Sequence, residues 1–297
     1  MENYIENGNL INENKWRSYI DSLRKGNNIC ISNKDEALSI INDCLVNSVR
    51  KRIDSLDRFG VMFSGGLDSV LIAKICKDLG RQFTCYTIGF KNSKDVVYSE
   101  KAAKLLNLKL KIKILNKKDL DEALRIVVIL LNNTNPVYIS IACVTYLGLK
   151  FAKESNEKVI LNGLGAEEIF CGYQRHLKEN NEEINKESWR GLKEMWKVDL
   201  ERDYLIAKSL DVDIRTPFID KDLIMNAMKI DPSLKISKDI KKIILRYFAE
   251  SINVSREIAH RPKVAGQYGT KINKEMKKLS KQNNFKYVKE YLKSLNK

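Results

Sequence analysis

Apolar residues change their spacing along this chain in a regular order. Residues 36–53, EALSIINDCLVNSVRKRI, carry apolar side chains three and four positions apart and end in basic residues, the pattern of an amphipathic helix. RFGVMF (58–63) is short and continuously apolar, as a buried strand would be. SVLIAKICKDLG (69–80) predicts a helix closed by Gly80. FTCYTIGF (83–90) predicts a second strand, SEKAAKLLNL (99–108) a helix and KLKIKIL (109–115) a third, alternating strand. LDEALRIVVILLN (120–132) and ISIACVTYLGLKFAKES (139–155) are helical in pattern, and EKVILNGLG (157–165) predicts a fourth strand running into glycines.

Strands alternating with helices imply right-handed crossovers, hence an α/β fold with a parallel sheet and flanking helices. Ligands of such sheets lie beyond the carboxyl ends of the strands. SGGLDS (64–69), TIGF (87–90) and NGLGAEE (162–168) all fall at that edge.

After about residue 185 the strand signal stops. WRGLKEMWKVDLERDYLIAKSL, KDLIMNAMKI and KDIKKIILRYFAESI predict a mainly helical C-terminal part. In the closing segment, 273–297, Met276, Leu279, Phe285, Val288 and Leu292 form one apolar stripe, so a packing helix with a solvated basic face is expected there. Residues 178–188, KENNEEINKES, are expected to be a mobile loop. The chain thus divides into an N-terminal segment of no assigned role (1–35), a main domain (36–272) and a basic C-terminal helix (273–297).

Composition narrows this only a little. The 297 residues suffice for one large domain, or one with an appended helical part. The start, MENYIENGNLINEN, is polar and acidic and lacks the basic flank and apolar stretch of a secretory signal, and no run of eighteen apolar residues suggests a membrane span. Six cysteines stand far apart without a CxxC, which fits reduced thiols of a cytoplasmic protein. Two histidines are too few for a His-based metal centre. The net charge of +15, mostly lysine, favours anionic partners: nucleotides, acidic metabolites or RNA. A solvated lysine-rich surface would give the same total.

SGGLDS carries the chemistry. A strand that ends in glycines and leads into a helix leaves several backbone N–H groups free, and these together with the positive helix terminus suit phosphate. Gly65 and Gly66 let the backbone turn and approach phosphate oxygens. Ser64 and Ser69 add hydroxyl donors. Asp68 would be repelled by phosphate without a divalent cation between them, which points to Mg²⁺. The loop lacks the Gly-Lys-Ser/Thr of a Walker loop and is not a GxGxxG fingerprint.

SGGLDS after an apolar strand resembles the loop of the PP-loop ATP pyrophosphatases, whose members use it to grip the pyrophosphate of ATP. Four further blocks narrow the likeness. LNGLGAEEIFCGYQRH (161–176) resembles the GEGADELFGGY block of asparagine synthetase C-terminal domains. DVDIRTPFIDKDLIMNAMKI (211–230) is similar to their E-x-R-x-PFLD segment, KIILR (242–246) to their K-x-x-LR helix, and RPKVAGQYG (261–269) to the R-x-K stretch that carries an essential lysine. Order and spacing match from about 36 to 272.

The resemblance implies an AMP-forming ligase that adenylates a carboxylate and passes it to ammonia or an amine. It implies that Ser64, Gly65, Gly66, Leu67, Asp68 and Ser69 hold pyrophosphate and that Met62, Ile88 and Gly163 frame adenosine. It implies that Asp68 and Glu167 bind Mg²⁺, that Lys263 stabilises charge near the α-phosphate, and that Lys242 and Arg246 make further phosphate contacts. Asp213, the first acidic residue of the E-x-R-x-PFLD-like segment, is a further catalytic candidate. Glu167 and Glu168 could instead simply charge a helix N-terminus, and Arg215 and Asp220 could form a structural pair holding the PF turn.

Three departures matter. Residue 2 is Glu, where glutamine-dependent members carry a catalytic Cys, so free ammonia, another amine or a separate glutaminase subunit is the expected nitrogen source. The second residue of the GEG triplet is Leu164, which cannot accept a proton. The metal-binding aspartate is replaced by Glu167. The Leu164 change resembles the asparagine synthetase domain-containing proteins and the β-lactam synthetases, whose acceptors differ. A PP-loop enzyme acting on tRNA, or a degenerate ATP-binding regulatory module, remains open. No membrane association is expected.

Overall fold

The computed structural model describes residues 2–178, 180–262 and 264–296. Among the described residues there are seven strands. β1 (Ile5–Glu6) and β2 (Asn9–Leu10) form an antiparallel hairpin. β3 (Phe59–Met62), β4 (Phe83–Gly89), β5 (Leu110–Ile114), β6 (Val159–Leu161) and β7 (Asp213–Arg215) form a five-stranded sheet in the order β5-β4-β3-β6-β7, with every neighbouring pair parallel. The α/β fold with a parallel sheet and flanking helices, expected from the alternation, is the observed one.

The chain runs outward from β3 through β4 to β5. It then returns to the other side of β3 as β6 and continues to β7. The order therefore reverses between β3 and β6, and a parallel sheet opens a crevice at its carboxyl edge at such a point. The Ser64–Gly66 turn leaves β3 there, and the Asn162–Gly165 turn leaves β6 beside it.

The helices have local causes. Asn33 caps Lys34–Ile53 by accepting from Asp35 N and Glu36 N, and Asn116 caps Lys117–Leu131 in a capping box with Asp119. Asn135 caps Pro136–Glu154, where Pro136 loses no intrahelical bond. Two apolar cores flank the sheet. One gathers Phe59, Val61, Leu71 and Ile72 with Trp16 and Trp189, and the other gathers Tyr86, Ile88, Leu124, Ile139 and Ile160.

Two sequence expectations change. Strand signal does not end at residue 185, because Asp213–Arg215 pairs in register with Val159–Leu161. Three residues with a single apolar one, Ile214, cannot display a period of two. The 178–188 loop is mostly helix: Asn181–Met195 is capped by Asn180 and buries Ile184, Trp189 and Leu192, while residue 179 lies outside the described residues. Asn181, Glu182, Glu183 and Lys186 face outward, while Glu187 and Ser188 are buried with the apolar residues, so polar residues fall on both faces and mask the apolar period.

Residues 2–35 pack into the fold. Trp16 Nε1 donates to Leu192 O at 2.8 Å, and Trp196 Nε1 donates to Ile11 O at 2.6 Å. The buried Glu2 carboxylate takes Arg52 Nε at 2.7 Å and Nη2 at 2.9 Å, and accepts from Thr216 N at 3.0 Å. At the other end, the one helix expected over 273–297 is two, Ile272–Gln282 and Val288–Leu295, which bury Met276, Leu279 and Leu292 in the second core with Phe285 and Val288 packed against it along the expected stripe. All six cysteines are unpaired, and Cys76, Cys85, Cys143 and Cys171 are buried. No single helix among the described residues is long and apolar enough to cross a membrane.

Candidate active site

The Ser64–Gly66 turn is shaped by its glycines. Gly65 has φ +65°, and a Cβ there would stand 2.5 Å from Tyr98 O, so the turn needs glycine on both counts. Gly66 is the N-cap of helix Leu67–Asp78, and no side chain caps that helix end. The Leu67, Asp68 and Ser69 amides therefore lie in the first turn, where intrahelical acceptors do not exist. Ser64 Oγ accepts from Gly66 N at 3.2 Å, and Ser69 Oγ donates to Gly66 O at 3.0 Å, which fixes both hydroxyls over the turn.

The second turn presses on the first. A Cβ at Gly163 would lie 2.9 Å from Asp68 Cβ, so glycine allows the β6 turn to touch the first turn of the helix. Gly165, at φ +99°, then starts the short helix Ala166–Ile169. Glu167 points to the crevice. Glu168 points back into the protein, 2 % exposed, and burial followed by the nearby Asp199 and Glu167 charges pushes its carboxyl up to about 7.

Lys242 joins the two turns. Its Nζ donates to Asp68 Oδ1 at 2.7 Å, to Asp68 Oδ2 at 2.6 Å and to Glu167 Oε1 at 2.6 Å. Burial works against its charge, but the carboxylates of Asp68 and Glu167 outweigh that and raise its pKa above the ordinary lysine value. Lys242 sits at φ +56° as the N-cap of helix Ile243–Ser251, a left-handed conformation that a side chain rarely adopts. Gly172 makes room for the group, because a Cβ there would overlap the Glu167 carboxylate and stand 2.5 Å from Lys242 Cε.

Arg261 supports the loop from the far side. Its Nη1 donates to Ser64 O at 2.6 Å, its Nη2 to Asp95 Oδ1 at 3.0 Å, and its guanidinium carbon lies 4.0 Å from the Tyr98 ring centroid. Burial pushes the Asp95 carboxyl up to about 6 despite the Arg261 charge. Sequence reasoning missed Asp95 and Tyr98, which carry no local signal. Arg261 was visible only as the first residue of the RPK stretch.

The other expected residues divide. Met62 ends β3, its side chain packed on Gly148, and Ile88 is buried in β4, so both lie on the strands under the crevice. Arg246 does not point into the crevice as a free cation. Its Nε donates to Lys241 O at 2.8 Å and its Nη1 to Ala259 O at 2.7 Å and Arg261 O at 3.3 Å, which ties down the chain before Arg261. Burial lowers its pKa, opposed by the Asp68 and Glu167 charges. Asp213 stands at the amino end of β7, exposed and paired with Arg215 Nε at 2.9 Å, and the structure does not bring it to the cluster. Arg215 and Asp220 do not pair with each other: Arg52 Nη1 reaches Asp220 at 3.2 Å, and Asp220 caps helix Lys221–Ala227. Lys263 lies outside the described residues.

Beside the crevice a cavity of about 920 Å³ runs along the free edge of β7. Asn162 and Leu164 line it at one end, Lys158 and Asp211 at the other, and Ile5 and Tyr204 close it from outside.

The asparagine synthase family model matches residues 41–184 and 177–284. A putative glutamine-hydrolysing asparagine synthetase 1 of Methanocaldococcus jannaschii is 32% identical over 296 residues, covering 87% of this chain and 54% of that protein. The glutamine-hydrolysing asparagine synthetase of Gallus gallus is 30% identical over 229 residues, covering 74% of this chain and 41% of that protein. Among solved structures, the NMN synthetase of Francisella tularensis aligns with a TM-score of 0.44 at 14% identity, over 89% of this chain and 93% of that one. The chain spans about half the length, or less, of the curated relatives it matches. The first matched block takes in both turns and the second takes in Lys242, and over most of its length the chain belongs to the asparagine synthase family.

Proposed function

We propose that the chain is an ATP-dependent ligase that forms AMP and pyrophosphate while joining a small carboxylate to ammonia or an amine. A carboxylate oxygen attacks the α-phosphorus, the bond to the bridging oxygen breaks and pyrophosphate leaves. The amine nitrogen then attacks the acyl carbon and AMP departs with the bonding pair. The observation that carries this reading is the meeting of the uncapped Leu67–Asp78 helix end with Asp68, Glu167 and Lys242 at the sheet's switch point.

The Leu67–Ser69 amides and the Ser64 and Ser69 hydroxyls would hold the departing phosphates. Mg²⁺, when bound, would offset phosphate charge. Two carboxylates that already converge on one cation suit a hard divalent ion, so Asp68 and Glu167 would hold it. Lys242 supplies a positive charge, Lys263 a second candidate one, and Arg246 positions the Arg261 support. The acceptor side is the cavity beyond Leu164, whose aliphatic side chain can shape but not deprotonate an amine. The nitrogen donor is ammonia or an amine.

ATP–pyrophosphate exchange across a panel of carboxylates tests the reading, aspartate being the first. Exchange that depends on one acid and vanishes in Asp68→Ala supports it. No exchange and no AMP release with any acid, from folded protein that retains ATP, would leave a nucleotide-binding regulatory module instead.

One observation favours a second reading, in which RNA supplies the acceptor. Residues 271–297 hold nine lysines and two glutamates, a net +7 of the chain's +15. The described lysines there stand largely on the exposed faces of helices that bury only their apolar side. A gel shift with total tRNA that weakens steeply with salt would support it.

A further inference from the structure

We propose that Lys242 is a placeholder cation: its ammonium occupies the divalent-metal position while the crevice holds no nucleotide, and it moves to the polyphosphate when metal and nucleotide arrive together. This rests on the phosphate reading of the crevice given above.

The geometry makes the two cations mutually exclusive. An ammonium has three N–H donors. All three are directed at carboxylate oxygens of Asp68 and Glu167, at 2.6–2.7 Å. A metal between the same carboxylates would need those oxygens at about 2.1 Å. It could not reach them with Nζ in place, since two cations so close would repel strongly in a site this buried. Lys242 is itself 5 % exposed, so its charge is not shared with solvent.

The backbone is consistent with a side chain held by its partners. A non-glycine residue at φ +56° is strained and persists when surrounding contacts fix it. The ion pairs to Asp68 and Glu167 are such contacts. Only the missing Cβ at Gly172 lets Lys242 Cε and the Glu167 carboxylate lie this close to that backbone. The triphosphate, lying over the Leu67–Ser69 amides, is the nearest new partner for a displaced ammonium.

The consequence is an order of binding. Free divalent metal competes with a built-in cation and loses, whereas the metal–nucleotide complex brings the phosphates that take the ammonium over. Metal and polyphosphate then bind as one unit through a reciprocal coupling.

Mn²⁺ binding to the full chain without nucleotide, followed by electron paramagnetic resonance, is the test. Wild-type protein is expected to bind Mn²⁺ no better than Asp68→Asn. Lys242→Met, or Lys242→Gln should the first not fold, is expected to bind it about tenfold tighter than wild type. The same variants are expected to lose about tenfold in affinity for α,β-methylene-ATP, because the displaced ammonium is then missing from the phosphates. Two results overturn the placeholder: nucleotide-free wild type that binds Mn²⁺ in a manner abolished by Asp68→Asn, or a folded Lys242 variant with no gain. Failure of wild type to bind the analogue at any Mn²⁺ concentration would instead overturn the phosphate reading itself.

Discussion

The two sides of the turn after β6 follow opposite rules. On the β3 side there is no spare room. Gly163 lies against Asp68, Gly172 against Glu167 and Gly65 against Tyr98, and a methyl group at any of them would collide. On the β7 side the same turn opens onto about 920 Å³, lined by the N-terminal hairpin, by Tyr204 and by Leu164. The tight side is held by backbone and short ion pairs, so its chemistry tolerates few sequences. The roomy side is bounded by side chains on separate elements, so its specificity can change without disturbing the other. Leu164, the departure from the family block, falls on the roomy side, while Glu167 keeps a carboxylate on the tight one.

The sharpest way to break this contrast is at Asp68. Asp68→Asn removes one of two carboxylates facing Lys242 while keeping the shape. Turnover, read as AMP release, should fall by about three orders of magnitude, the scale seen when a pre-arranged charge partner is lost from a water-poor site. Loss of less than tenfold would mean that the tight side is a structural ion pair and not a reaction centre.

Gly172→Ala asks the same of geometry alone. The added methyl would displace the Glu167 carboxylate and Lys242 Cε. Overpacking of this kind costs about 1–3 kcal/mol. Because the displaced atoms are the functional ones, exchange should drop by about a hundredfold, the size of loss expected from a misplacement near 1 Å. Gly8→Ala, where no atom lies within 4 Å, is the matching control from the other side, with its φ of +75° as the only strain.

Glu2→Gln tests the roomy side. Glu2 and Arg52 are both buried and share two hydrogen bonds, and Glu2 also accepts from Thr216 N. Leaving Arg52 short of a charge partner in that setting should cost about 3 kcal/mol, measured as a lower urea midpoint. Exchange with a fixed acid should stay within about threefold of wild type at saturation. A large loss of exchange with intact stability would show that the N-terminal segment serves the reaction directly.

The contrast also explains what the sequence disclosed. β3, β4 and β6 were legible because strands buried on two faces read as continuous apolar runs, and both turns were legible because glycine marks positions where only glycine fits. β7 was not: three residues carry no period, and their pairing with β6 is decided 54 positions away, from Val159 to Asp213. Asp95 and Arg261 meet across 166 positions, and neither has a local pattern that predicts the other. Lys242 was read as a phosphate contact from a motif. Its position between two carboxylates follows from an αL backbone that no propensity for lysine would suggest. The helix at 181–195 is masked because polar residues lie on both of its faces, Glu182 and Lys186 outside and Glu187 and Ser188 within.

The smallest effect should come from pH, through Asp95. Burial raises this carboxyl from its ordinary 3.8 to about 6. Between those values the folded protein keeps the proton and the unfolded chain has lost it, so the residue's contribution to stability is greatest at low pH. It declines as pH rises from about 4 to about 6. Nucleotide affinity should run the other way. Below pH 6 a neutral Asp95 no longer holds Arg261 as an ion pair, and the guanidinium's hydrogen bond to Ser64 O loosens with it. The dissociation constant of α,β-methylene-ATP should weaken by about threefold from pH 7.5 to 5.5, the worth of one charge-assisted bond partly lost. The nucleotide titrates as well, so the decisive quantity is the ratio of Asp95→Asn to wild type. It should exceed one at pH 7.5 and approach one at pH 5.5. A ratio constant across that range would place Asp95 among the groups that only fill the space behind the loop.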